Sequence, residues 1–239
     1  MQVKPIKTRI FKERENLAEF IRTHIPKLAE GSILVVTSKI VGLAEGRTEV
    51  IGLRPKDVLV KEESELAIRT KWTWLTLRDG MFVASAGIDE SNGNGKYIFL
   101  PKDSYKAAAK LRTELKKVYG IKNLGVVITD SRTLPLRRGA FGMSLGYAGF
   151  KGLRDYRKKP DIFGRPYTMS RAAIADGVAA AAVLAMGEGA ERYPLAIVTG
   201  LPVEFTERVD RREVLIPLEE DMWRPLFGNL RLGKKAKKG

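Results

Sequence analysis

The sequence has no cysteine in 239 residues. That excludes disulfide staples, thiolate nucleophiles and cysteine-held metal centres, and it agrees with a reducing, cytoplasmic location. Histidine is almost as scarce, His24 being the only one. Ser-His-Asp chemistry and histidine-rich zinc sites are thereby set aside. His24 stands in FIRTHIPKL near the end of an expected helix, where a surface or capping role suits it. No apolar run approaches the roughly 18 residues of a membrane span, and MQVKPIKTRI has no apolar signal-peptide centre. No membrane partner is expected. Acids are outnumbered, 28 against 43 Lys and Arg, for a formal charge of +15. Carboxylates, hydroxyls, lysines and arginines must carry any reaction.

What is present describes a chain long enough to bury a full core, with 44% hydrophobic and 30% charged residues. Removing the four lysines of the tail GKKAKKG lowers the charge from +15 to +11. A body this basic favours an anionic partner: a nucleotide, another phosphorylated small molecule or a nucleic acid. A generally basic proteome would leave the same mark, so charge alone selects none of these.

The densest chemistry lies between Gly125 and Gly146. The apolar run Val126 to Thr129 predicts a buried strand. It ends on Asp130 and Ser131, followed by a loop with Arg132, Arg137 and Arg138, broken by Pro135 and Gly139. A carboxylate, a hydroxyl and three guanidiniums suit metal and phosphate, although most strand-end aspartates are turn or cap residues. Two other stretches repeat the arrangement. Ile33–Val36 predicts a strand that runs into a polar turn carrying Ser38 and Lys39, without the glycines of a P-loop. Met81–Ala86 predicts a strand ending at Gly87, with Asp89, Ser91 and Asn92 on its turn. If the strands that end at Asp89 and Asp130 are neighbours, the two carboxylates can share a divalent cation.

Elsewhere the first eleven residues suit a strand, Arg14–Leu28 an amphipathic helix ended near Pro26, and Thr48–Ile51 and Trp74–Leu77 short strands. KEESELAIRTK (61–71) suits a solvated helix face. Asp103 and Gly120 cap a basic helix over 104–119. Residues 150–170 suit a long charged loop. An alanine-rich helix follows, with Asp176 in its interior and Glu188 between Gly187 and Gly189, either a plain helix cap or a phosphate-facing turn. Leu195–Thr199 predicts a last buried strand.

GIDESN (87–92), LPKD (100–103), GVVITDS (125–131), the RRG turn (137–139), LRDYRKKPDIFGRP (153–166), AIADGVAAAAVLAMGEG (173–189) and VTGL (198–201) form an ordered series. With VVTSKIVGLAEGR (35–47) in front, the chain resembles the coenzyme F420-0:L-glutamate ligase family, which includes folate γ-glutamate ligases. The resemblance covers residues 1–201 as a γ-glutamyl ligase domain. A divergent segment follows at 202–232, and 233–239 is expected to be a basic disordered tail.

The resemblance implies an α+β fold of mixed, largely antiparallel sheets in an intertwined homodimer. It implies GTP- or ATP-dependent joining of L-glutamate to an anionic acceptor with two Mg²⁺ or Mn²⁺ sites. Asp89, Asp130, Ser131 and Glu188 then fall on metal-binding positions. Arg9, Ile10, Phe11, Ser38, Lys39, Asn92, Gly187 and Gly189 fall on nucleotide-binding ones, and Asp130, Arg137 and Arg138 on catalytic ones. Ser131 replaces the usual threonine and keeps its hydroxyl, whereas Leu43 replaces a nucleotide-contacting lysine. Two other readings remain: a nucleic-acid-binding protein using helix 104–119 and the lysine tail, and a metal- and nucleotide-binding relative without ligase activity.

Overall fold

The computed structural model describes residues 1–227. The expected basic tail at 233–239 lies outside them. In chain order the elements are β1 (Gln2–Ile6), α1 (Leu17–His24), β2 (Ser32–Thr37), α2 (Ser38–Ala44), β3 (Thr48–Val50), α3 (Lys56–Glu62), β4 (Leu66–Arg69), β5 (Trp74–Arg78), β6 (Met81–Ala84) and β7 (Lys96–Ile98). Then follow α4 (Ser104–Tyr119), β8 (Leu124–Arg132), β9 (Phe141–Ala148), β10 (Leu153–Asp155), β11 (Arg171–Ala173), α5 (Ile174–Met186) and β12 (Leu195–Thr199). The chain divides into two compact units, one formed by 1–47 and 101–214, the other by 48–100 and the described residues from 215 on. As the sequence predicts, the fold is α+β with mixed, mostly antiparallel sheets.

The first unit is built on a five-stranded sheet, β1-β12-β2-β8-β9, in which only β2 and β8 run parallel. Period-two alternation gives β8 two apolar faces. Val126 and Ile128 enter a core with residues of α1, α2 and α4, while Val127 enters a second core with Ala175, Ala179 and Ala182 of α5. Helices therefore cover both faces.

Helix α4 has both expected ends: Asp103 accepts a hydrogen bond from the Lys106 amide, and Gly120 closes it in the left-handed region. Its Arg112 is buried, donating to the Leu124 carbonyl and, bidentately, to Glu207. Glycines set the helix-to-sheet distance. A Cβ on Gly142 of β9 would lie 2.4 Å from the Ala179 carbonyl of α5, and one on Gly146 would lie 2.6 Å from the Ser104–Tyr105 backbone.

Several elements differ from expectation. The polar turn after β2 is a seven-residue helix, α2, because Ile40 and Val41 are buried in the core. β8 continues through Arg132, paired to β9, so Asp130 and Ser131 lie on the strand and not beyond it. The segment 150–170 is a hairpin, closed by β10–β11 and a Pro160–Pro166 bridge. α5 begins at Ile174, which puts Asp176 in its first turn.

The second unit holds a three-stranded sheet, β4-β5-β6, a β3–β7 pair, and a small core of Leu59, Val60, Ala86, Ile88, Tyr97 and Phe99. In the 61–71 stretch expected as a helix face, α3 ends at Glu62 and β4 takes over at Leu66–Arg69. Its acids have partners: Glu62 pairs with Arg54 and Glu63 with Arg78. The strand before Asp89 belongs to this unit, so it is no neighbour of β8, which pairs with β2 and β9.

Candidate active site

The parallel pairing of β2 and β8 runs in register from Ser32–Leu124 to Thr37–Thr129. One residue further on, Ser38 and Asp130 must emerge side by side. The Ser38 hydroxyl donates to Asp130 Oδ1 at 3.1 Å. Arg132, two residues along the strand and on the same face, donates from Nη1 to Asp130 Oδ2 at 2.5 Å and to the Ser131 carbonyl at 2.9 Å. Its side chain is 4% exposed, and its Nε has no acceptor among the described residues. A buried guanidinium held by a single carboxylate is costly unless that carboxylate stays ionised.

Ser131 points to the opposite face, where the C-terminus of α5 arrives. Its hydroxyl lies 2.8 and 2.7 Å from the two Glu188 oxygens and donates to one of them at a time. Gly187 caps α5 with φ of 83°. A Cβ there would meet the Glu191 carboxylate at 2.6 Å, and the same carboxylate accepts from the Gly189 amide at 2.8 Å. The turn's amide thus already faces an anion, supplied by its own chain.

Other segments reach this edge through sheet register. Ile6 pairs with Leu195, and Leu195 with Val36. The Thr8 amide donates to the Arg192 carbonyl at 3.0 Å, just past the glycine turn. In the segment Thr8–Phe11, Ile10 is exposed, whereas Phe11 is buried and packs edge-on against Phe20. Arg9 forms an ion pair with Glu15 and lies over the Phe20 ring. That guanidinium lowers the Glu15 carboxyl to about 2. His24 ties the segment down as a capping group, with Nδ1 donating to the Phe20 carbonyl and Nε2 accepting from the Arg9 amide.

The structure thus gathers Ser38, Asp130, Ser131 and Glu188 with Thr8–Phe11 at one sheet edge. Lys39 is half-buried in the first turn of α2. Arg137 and Arg138 are exposed on the 133–140 loop that leaves the same edge. Asp89 and Asn92 belong to the second unit. There the Asp89 carboxylate accepts from the Ser91 amide and hydroxyl, and Asn92 has φ of 56°. The contact between Arg132 and Asp130 escaped the sequence reading; its signal was the two-residue spacing, which shares a strand face. Glu191, close to the glycines, was also overlooked.

Behind the edge, Asp176 accepts from the Ser144 amide at 3.1 Å. Burial pushes its carboxyl above the usual range, and the amide bond partly opposes that. The folded chain therefore holds this proton to higher pH than the unfolded chain. Stability falls as pH rises from the ordinary carboxylate range through the raised value, and that contribution is absent above it. Asp176→Asn keeps an acceptor and removes the charge. In urea unfolding across a pH series that starts in the ordinary carboxylate range, its stability relative to wild type should rise with pH. A constant difference would contradict the buried-acid assignment.

A layered enzyme-like fold with its oxygen donors on one edge fits the class that known sequences identify: the chain is a ligase. A family model described as F420-0:Gamma-glutamyl ligase matches residues 5–200, and the chain belongs to that family. A Methanocaldococcus jannaschii protein named Coenzyme F420:L-glutamate ligase is 34% identical over 236 residues, covering 90% of this chain and 93% of that protein. An Archaeoglobus fulgidus protein of the same name is 30% identical, covering 90% and 92%. One from Methanothermobacter thermautotrophicus is 34% identical, covering 73% and 77%. Among the described residues, no helix is long and apolar enough to cross a membrane.

Proposed function

We propose that this ligase forms an amide between L-glutamate and a carboxylate of an anionic acceptor, F420-0 or a folate-type molecule, at the expense of GTP or ATP. The observation that carries the reading is the convergence of Asp130 and Ser38 on one face of β8 with Ser131 and Glu188 on the other. Membership of the γ-glutamyl ligase family and the names of the relatives support it.

A carboxylate does not condense with an amine in water without activation. In the proposed route, an acceptor carboxylate oxygen attacks the nucleotide γ-phosphorus, giving an acyl phosphate and releasing the nucleoside diphosphate. The glutamate amine then attacks the acyl carbon, phosphate leaves, and the amine gives up a proton. The donors at the edge are hard oxygens, which suit Mg²⁺ or Mn²⁺. Among the described residues, no three Asp, Glu or His side chains gather around one point. Cations held by Asp130, Ser131 and Glu188 would therefore draw further ligands from phosphate and water. Bound cations would neutralise charge on the phosphate oxygens.

The chain's own groups have separate tasks. Arg132 orients Asp130 through one carboxylate oxygen, and Ser38 fixes the other. Arg137 and Arg138, exposed forks on the adjoining loop, are suited to carboxylates of the acceptor or the incoming glutamate. Nucleotide contacts are assigned to Thr8–Phe11, Ser38, Lys39 and the Gly187–Gly189 turn, and the working form is a homodimer. Acceptor bearing ¹⁸O in its carboxylate tests the route: with glutamate, metal and nucleotide, the released phosphate should carry label. Unlabelled phosphate beside the amide product would overturn the acyl phosphate.

A further inference from the structure

Asp130 already carries a cation of the protein's own. Arg132 Nη1 donates to its Oδ2 at 2.5 Å and Ser38 donates to its Oδ1 at 3.1 Å, so both carboxylate oxygens are engaged. Among the described residues, Asp130 is the one carboxylate that pairs with Arg132. The guanidinium's other acceptor is the Ser131 carbonyl, 2.9 Å from Nη1, and its buried Nε has none. Arg132 therefore has nothing to turn to if Asp130 is drawn away. A buried charge stripped of its counter-ion is strongly unfavourable.

Depth separates this arginine from the other guanidiniums of the edge. Arg137 and Arg138 are exposed, so water and salt screen them. The Arg132 side chain is 4% exposed, and its field reaches Asp130 with little screening. Glu188, on the opposite face of β8, is placed differently. Its partner is the neutral Ser131 hydroxyl, and no cation pairs with it among the described residues. A divalent ion approaching Asp130 alone thus meets a carboxylate whose charge is already shared, beside a like charge that cannot withdraw. Triphosphate oxygens alter that balance. An ion arriving with them brings its own anionic ligands and repels the guanidinium less.

We propose that Arg132 is a positioning residue that makes cation loading at Asp130 conditional on the nucleotide. Its guanidinium weakens the hold of Asp130 on a bare divalent ion and tolerates the same ion once phosphate oxygens ligate it. The inference rests on the ligase reading above. The probe is Mn²⁺, titrated into the full chain with and without non-hydrolysable analogues of GTP and ATP. Free ion is read by electron paramagnetic resonance against a protein-free blank holding the same analogue. In the wild type the analogue should tighten Mn²⁺ binding by roughly tenfold or more. Arg132→Met removes the charge and keeps most of the volume. It should bind bare Mn²⁺ about tenfold more tightly than wild type, with little further gain from the analogue. Asp130→Asn in that background should abolish the gain, which assigns it to this carboxylate. Arg132→Lys should retain the wild-type dependence.

A purely structural role predicts the opposite sign, since a carboxylate that has lost its anchor holds metal less well. Weaker or unchanged Mn²⁺ binding by Arg132→Met would overturn the inference. So would wild-type binding indifferent to the analogue, a measurement that needs no variant to fold. The two readings fail separately. Arg132-dependent Mn²⁺ binding without glutamate ligation would sink the ligase and leave this role. Ligation by a wild type whose Mn²⁺ affinity ignores the nucleotide would do the reverse.

Discussion

Asp130→Asn is expected to lower the rate of glutamate ligation about a thousandfold, some 4 kcal/mol of transition-state stabilisation. The side chain keeps its volume and one acceptor oxygen, so Ser38 still has a partner. The negative charge goes, and with it the ligand for a cation and the counter-charge of buried Arg132. The buried guanidinium predicts a second effect, a lowered Tm, which separates this variant from one that only loses metal. Steady-state assays at saturating nucleotide, with a parallel melting curve, give both quantities. Near-normal ligation would remove Asp130 from the reaction.

Gly142→Ala should destabilise the first unit by about 3 kcal/mol, the upper end for overpacking. The added methyl would stand 2.4 Å from the Ala179 carbonyl and 2.5 Å from the Val183 side chain, and backbone cannot rotate aside. Strand and helix must then separate. Gly142 is paired with Ser131, and α5 delivers Glu188 to that same serine. Separation is therefore expected to weaken ligation as well as folding, with Tm falling by roughly 6–12 °C. Wild-type Tm and activity would show that α5 does not depend on this approach.

The sequence displayed most plainly what is encoded locally. Asp103 and Gly120 mark both ends of α4, and the apolar runs at β2, β8 and β12 announce buried strands. α2 is less visible, since Ile40, Val41 and Gly42 are poor helix formers and tertiary packing decides the outcome. β9 was obscured by Gly142 and Gly146, which weaken a strand signal and are there to admit two helices. Asp130, Ser131 and Glu188 could be picked out by type and spacing.

Their arrangement could not be read in that way. It depends on the parallel register of β2 with β8 and on which face each β8 residue takes. Register also decides which arginine meets the carboxylate: Arg132 shares the face of Asp130, while Arg137 and Arg138 stand on the loop beyond. The second unit, inserted as residues 48–100 between two strands of one sheet, gave no compositional warning.

The most direct measurement is mass spectrometry of acceptors incubated with the chain, L-glutamate, Mg²⁺ or Mn²⁺, and GTP or ATP. The panel holds F420-0, folate, tetrahydrofolate and their monoglutamyl forms. A product heavier by one glutamyl residue, formed only with nucleotide and metal and lost in Asp130→Asn, is the predicted result. Product formed equally well by Asp130→Asn, or without nucleotide, would contradict the account.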